Sequence, residues 1–381
     1  MNIGFLTSEY PHLKTGSSGG IGTSIKNLGQ SLSEAGHSVY VYVYGQSVDG
    51  SFQDGNVLVK QIRNKQLKGL SWWLTRKKIE QILNNDIQAV KLDIIEVPDW
   101  PGISAWIKLK CPVVMRLNGS DTFFCNLENR PVKWWNKLQE QTAYKQADGI
   151  IAVSDFVGSN TNKVFNVLRE YKVIPNSIQT SLFNASSIES TPQTILYFGT
   201  LIRKKGVFEL PAIFNLVHEQ RPDTRFILIG ADASDISTGA PSTWKLMRSL
   251  FSQEALTSVS YLGKVPYTDI QSHIQQATLC VFPSYAEACP VSWLEAMAME
   301  KAIVASDIGW APELIRHGQD GFLCHPSDHE SFASAVLQLL STPNLRHQMG
   351  KQARTRCILT FDSAVIAQQS IDYYQHIIHG I

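Results

Sequence analysis

Short, unbroken apolar runs alternate with stretches of helical period along nearly the whole chain, and they do so in two successive series. The strand candidates of the first series are residues 3–7, 38–44, 94–97, 113–117 and 149–153; those of the second are 194–198, 225–229, 259–262, 279–283, 302–305 and 321–324. Most are β-branched and continuously apolar rather than alternating, as strands buried on both faces of a parallel sheet must be. Helical segments lie between them. Residues 25–35 form one that stops at Gly36, a residue suited to a helix C-terminus. Ser327 and Glu330 are spaced as a capping box and predict another helix starting there. The rhythm is α/β, and its repetition predicts two Rossmann-like, doubly wound domains.

The length of 381 residues agrees, being too long for one ordinary core. The segment from Ser177 to Ser187 is polar, small and non-periodic, and Pro192 follows it. That is linker composition, so a boundary is expected within residues 178–193, between domains at 1–180 and 190–360.

Composition excludes several classes. Hydrophobic residues make up 44%, charged residues 18%, and the net charge is +1, which leaves no global polyelectrolyte character and no nucleic-acid partner. The six cysteines (Cys111, Cys125, Cys280, Cys289, Cys324, Cys357) are scattered without a C-x-x-C pair and read as small apolar filler in a reducing compartment. Met1-Asn2 runs directly into Ile3-Gly4-Phe5-Leu6 without a basic or long apolar leader, and no apolar run is long enough to span a bilayer. The expectation is a cytoplasmic protein, with peripheral membrane contact as its one route to a lipid surface.

The strongest local signal is Glu287-Ala288-Cys289-Pro290-Val291-Ser292-Trp293-Leu294-Glu295-Ala296-Met297-Ala298, which follows a strand and opens a helix. Backbone N–H groups at a helix N-terminus favour a phosphate. A carboxylate accepts two hydrogen bonds from a vicinal diol such as a ribose or hexose presents. Cys289, Pro290 and Val291 lie between the two carboxylates and would supply the backbone near the phosphates. This one element can therefore hold a ribose, a diphosphate and a sugar. Either glutamate alone would read as an ordinary helix or surface acid.

The E-x7-E pattern followed by Ala-Met-Ala resembles the family-four retaining glycosyltransferases, and the likeness extends over nearly the whole chain. Four further segments match in order: Gly19-Gly20-Ile21, Ile151-Ala152-Val153-Ser154, Val173-Ile174-Pro175-Asn176-Ser177, and Tyr197-Phe198-Gly199-Thr200-Leu201-Ile202-Arg203-Lys204-Lys205-Gly206. The resemblance implies a GT-B fold, with two Rossmann-like domains facing each other across a cleft. The first would bind the acceptor and the second the donor, and the C-terminal segment 361–381 would return to the first domain. It also implies a nucleotide-diphosphate sugar donor, retention of anomeric configuration, and neither an obligatory metal nor a cofactor. The acceptor would be a glycan, a lipid-linked glycan or a small molecule, with polysaccharide assembly the expected setting. By the same resemblance, Glu295 holds the donor ribose, Glu287 sits at the donor sugar, Lys205 neutralises the diphosphate, and the Gly19-Gly20 backbone approaches the diphosphate; Glu287 and Lys205 are the catalytic candidates.

Two positions depart from the family pattern. Its Gly-Arg-Leu is Gly199-Thr200-Leu201 here, and Arg203 either supplies the missing charge or is a solvated neighbour of Lys204. Its acceptor-domain His-Gly is Asn118-Gly119, with no histidine between His37 and His218. Asn118 can hydrogen-bond a sugar hydroxyl but cannot act as a base. Front-face attack, in which the departing diphosphate takes the acceptor proton, removes the need for a side-chain base. Asp99 after the third strand is an acceptor-contact candidate, and a turn-forming role explains it nearly as well.

Lys60, Arg63, Lys65, Lys68, Arg76, Lys77 and Lys78 bracket Trp72-Trp73, with no acid from Gly55 to Ile79. This reads as a solvated basic helix with one Trp in the core, ahead of a membrane-surface or anionic-acceptor patch; Trp134-Trp135 beside Lys133 and Lys137 reads the same way. Two other classes compete for the whole chain. A dinucleotide-dependent oxidoreductase would need G-x-G-x-x-G directly after the first strand, and that motif is absent. A nucleotide-sugar-binding module that has lost transfer activity rests only on Asn118 and Thr200.

Overall fold

The computed structural model describes residues 1–16, 18–183, 185 and 193–380. The chain divides into two compact units, Met1–Gln179 with Phe361–Ile381, and Thr180–Thr360. Half of the linker expected at 178–193 (184 and 186–192) lies outside the described residues.

In the first unit the expected strands form at β1 (Asn2–Thr7), β2 (Ser38–Gln46), β5 (Ile94–Pro98), β6 (Val113–Leu117) and β7 (Gly149–Ala152). Three further strands join them: β3 (Gly50–Asp54), β4 (Val57–Arg63) and β8 (Lys172–Val173). The sheet runs β3-β4-β2-β1-β5-β6-β7-β8, and every pairing is parallel except the β3–β4 hairpin at its edge. Strands β5 and β7 are buried end to end, and β1 and β6 are buried after their first residue, which explains their largely apolar sequence.

The β4 strand corrects the basic-helix reading. Lys60 and Arg63 belong to a strand, residues 64–70 form a loop, and only from Ser71 does a helix run, to Ala89. The core has no Trp from this segment: Trp72 is 39% and Trp73 45% exposed.

The helix Gly20–Glu34 covers one face of the sheet. It ends at Gly36, whose φ of +87° disfavours any residue with a Cβ. The Ser363–His379 helix packs against it, adding Ile366, Ala367, Ile371 and Tyr374 to the core built on Ile3, Leu28, Val41 and Ile94. A buried polar network also ties this last helix to the sheet. Arg116 forks onto Glu96 (2.8 and 3.0 Å) and donates to the Ile174 carbonyl (3.1 Å), while the Tyr374 hydroxyl donates to Glu96. Where the chain leaves and re-enters the unit, its two passes are bonded: Ile178 N–H donates to Phe361 (3.0 Å) and Ser363 N–H to Ile178 (3.0 Å).

The second unit holds β9 (Thr194–Phe198), β10 (Arg225–Ile229), β11 (Val259–Tyr261), β12 (Leu279–Phe282), β13 (Ile303–Ser306) and β14 (Phe322–Cys324). Its parallel order β11-β10-β9-β12-β13-β14 reverses direction between β9 and β12. That reversal is the switch point where ligands bind open α/β sheets, outside the carboxyl ends of the strands. One local expectation shifts by a residue. Asp328, not Ser327, caps the His329–Ser341 helix by accepting the Ser331 N–H (3.0 Å).

Candidate active site

The loops after β9 and β12 emerge side by side at the switch point and are bonded to each other. Tyr285 and Ala286 donate their N–H groups to the Lys204 carbonyl, at 2.8 and 3.1 Å. Gly206 makes this approach feasible. Its φ is +64°, and a Cβ there would lie 1.7 Å from the Pro283 carbonyl oxygen. The crossing brings Lys205 and Glu287, 82 residues apart, into a direct Lys205 Nζ–Glu287 Oε1 ion pair. Both side chains are largely covered, at 21% and 11% exposure.

Just beyond Glu287 the Val291–Ala298 helix begins. Pro290 is its N-cap and makes no side-chain cap hydrogen bond. The positive end of this helix follows directly on Glu287 and its Lys205 partner, an arrangement that attracts a phosphate. Cys289 and Pro290 are buried and Val291 is half-buried, so it is their backbone that lines this end. One turn in, Glu295 is 5% exposed, and burial raises its carboxyl to about 7. Tyr267 donates its hydroxyl to Glu295 Oε1 at 2.7 Å, and this bond pulls in the opposite direction, favouring the charged form.

Arg203 is engaged elsewhere. Its Nε and Nη2 fork onto the two oxygens of Asp235 (2.6 and 2.9 Å), and its guanidinium lies 4.3 Å from the centre of the Phe208 ring. The guanidinium in turn holds the Asp235 carboxyl down at about 2. A diphosphate would have to draw Arg203 off this partner, while Lys205 is already placed.

In the first unit, Gly19 caps the Gly20–Glu34 helix without a side-chain bond, and its own N–H is taken by the Glu9 carboxylate. Asp99 follows β5 and is 2% exposed. Oδ1 accepts the Trp100 and Asn118 N–H groups and Oδ2 accepts the Gly119 N–H, all at 3.0 Å. Burial raises the Asp99 carboxyl to about 7. Its oxygens thus accept from Trp100 in its own loop and from Asn118 and Gly119 in the loop after β6, so Asp99 holds the two loops together. Glu140 continues the pattern, accepting from Asp121 N–H (2.9 Å), Thr122 N–H (3.0 Å) and the Thr122 hydroxyl (2.6 Å). Two buried carboxylates therefore fix the loop that presents Asn118, whose half-buried side chain donates only weakly to the Arg116 carbonyl (3.4 Å).

Glu9, Glu140, Asp235 and Tyr267 carry no motif, and each acts through a partner distant in sequence. A cavity of about 830 Å³ on the first unit, bordered by Asp148, Arg169, Lys172 and Asp372, includes none of the site residues.

Residues 18–182 match the family model Glycosyltransferase Family 4, and residues 178–356 match Glycosyl transferases group 1. The chain belongs to the family 4 glycosyltransferases. Among curated relatives, the alpha-maltose-1-phosphate synthase of Mycolicibacterium smegmatis is 29% identical over 264 residues, or 62% of this chain and 65% of that protein. The match thus spans just under two thirds of that relative's length. Among solved structures, the sucrose-phosphate synthase of Thermosynechococcus elongatus superposes with a TM-score of 0.80 at 18% identity, covering 100% of both chains. HepE of Anabaena in complex with UDP gives 0.73 at 20% identity, over 98% of this chain and 100% of that one. These likenesses establish the GT-B fold for this family member, two Rossmann-like parallel-sheet domains.

Proposed function

We propose that the protein transfers a sugar, with retention of anomeric configuration, from a nucleoside-diphosphate donor held in its second unit to a hydroxyl of a glycan, lipid-linked glycan or small molecule. One observation carries the reading: the bonded β9 and β12 loops set Lys205 and Glu287 against the uncapped N-terminus of the helix that bears buried Glu295. Glu295 would take the ribose hydroxyls and Glu287 a hydroxyl of the donor sugar. Lys205 and the N–H groups following Cys289 and Pro290 would take the diphosphate, with Arg203 joining if it leaves Asp235. The structure of HepE with UDP supports a uridine donor for that relative and makes UDP the first nucleotide to try here.

In this reading the acceptor oxygen bonds to the anomeric carbon on the face from which the diphosphate leaves. The anomeric carbon–oxygen bond breaks, its electron pair stays on the diphosphate, and the acceptor proton moves to a diphosphate oxygen. The protein's part is to orient the reactants and to stabilise the negative charge growing on the leaving group. Asn118 suits this scheme because it can orient a hydroxyl without having to remove its proton. No step is routed through a metal or cofactor.

The test is turnover. Release of nucleoside diphosphate from UDP-, GDP- and ADP-sugars is followed with simple sugar acceptors, for wild type and Lys205→Met. The reading predicts release from one nucleotide series, slowed by about 10²–10³-fold in the variant, the usual cost of removing one charge-stabilising group. Binding without release by the wild type would favour a binding module instead.

A further inference from the structure

Three segments distant in sequence meet on the surface of the first unit, and none carries an acid there: residues 63–79, 100–110 and 129–139. They meet through tryptophans. The Trp72 ring packs edge-on against Trp106 (5.8 Å) and Trp135 (5.3 Å), Trp106 stacks on Trp135 (5.7 Å), and Trp134 meets Trp135 edge-on (5.4 Å). Arg76 anchors the cluster from below. It is buried, lies 5.6 Å from the Trp72 ring centre and 5.8 Å from that of Trp106, and donates to the Gly102 carbonyl and to Gln139.

On this fixed base stand large apolar side chains that the fold leaves in water: Trp134 at 74% exposure, Leu67 at 51%, Leu70 at 49%, Trp73 at 45% and Leu138 at 39%. Around them are the exposed lysines Lys65, Lys68, Lys133 and Lys137, for which no ion pair is formed among the described residues. Three other cations of the region are paired, Lys77 with Glu80, Lys78 with Asp49 and Arg130 with Glu128.

Contiguous exposed apolar surface marks an interaction site. Indole rings prefer the headgroup layer of a bilayer, where the ring body is apolar and the N–H stays wet, and lysines next to them are drawn to anionic lipid phosphates.

We propose that this face seats the protein on an anionic lipid bilayer, with Trp73, Trp134, Leu67 and Leu70 entering the headgroup layer and Lys65, Lys68, Lys133 and Lys137 meeting lipid phosphates. The inference is independent of the donor-site reading, since every residue in it lies in the first unit. It would place any lipid-linked acceptor in the plane on which the enzyme rests.

The test is co-sedimentation of the full chain with phosphatidylcholine vesicles, alone or mixed with phosphatidylglycerol. Wild type is expected to sediment at least tenfold more on the anionic vesicles. Lys68→Glu/Lys133→Glu/Lys137→Glu should lose that preference, and Trp73→Ser/Trp134→Ser should lose the binding that survives high salt. A second measurement needs no variant. Lipids brominated in their acyl chains should quench part of the wild-type tryptophan fluorescence. Failure of the wild type to bind anionic vesicles, or equal binding by the lysine variant, overturns the proposal. So does binding of a soluble oligosaccharide with no vesicle binding, which would assign the face to sugar.

Discussion

Glu295 is the residue on which the site's behaviour turns. Buried, with its carboxyl raised to about 7, it is largely neutral below that pH and charged above it. A carboxylate accepts strongly from two ribose hydroxyls and a carboxylic acid only weakly, so nucleoside-diphosphate affinity should fall as pH drops from 8 to 6. Titration calorimetry across that range should show the fall in wild type and a flat profile in Glu295→Gln. The Tyr267 bond favours the charged form, so Tyr267→Phe should move the midpoint of the affinity profile to higher pH. The same shift has a stability consequence of definite sign. A carboxyl whose pKa rises on folding costs stability once the pH exceeds its unfolded value, and the full cost is reached above its folded value. Glu295→Gln should therefore raise unfolding free energy at pH 8 by roughly 3 kcal/mol and have little effect near pH 4, as chemical denaturation at the two pH values would show. A stability gain independent of pH would contradict this account.

The decisive arrangement at the level of elements is the crossing of the β9 and β12 loops. Gly206→Ala would place a methyl group against the Pro283 carbonyl in a left-handed backbone, costing of order 1–3 kcal/mol and separating Lys205 from Glu287. It should weaken nucleotide binding with only a modest fall in melting temperature; unchanged binding would show that the crossing does not position the site. The sequence makes the element carrying Glu287 and Glu295 legible because its chemistry is contiguous. What Asp99 does was not legible, because its role depends on the N–H groups of Asn118 and Gly119 on a neighbouring strand's loop. The β3–β4 hairpin did have a signal, Asp54-Gly55 between two short runs, Ser51-Phe52-Gln53 and Val57-Leu58-Val59. Lys60 and Arg63 of β4 mask it, because they run on into the basic segment that leads to the next helix. The tryptophan cluster is hidden from the sequence for a different reason. A Trp on a helix is ordinarily core, and only the meeting of three segments shows that these rings cluster at the surface.

For the whole molecule, the two series of strands read from the sequence become two sheets, and the last helix belongs to the unit in which the chain begins. That helix is part of the first unit's core, so deleting residues 361–381 should expose Ile25, Leu28 and Leu32, with dye binding and aggregation as the readout. Tyr374→Phe is the gentler form. It removes one donor from the buried Glu96–Arg116 pair and should cost about 1–3 kcal/mol in denaturant unfolding. The central claim remains that the second unit holds a nucleoside diphosphate through Glu295 and Lys205. Calorimetric titration of UDP, GDP and ADP into the full chain and into Glu295→Ala tests it most directly. The account predicts that one nucleotide binds the wild type and that its affinity falls at least tenfold in the variant. No binding by the wild type, or equal binding by both proteins, would contradict it.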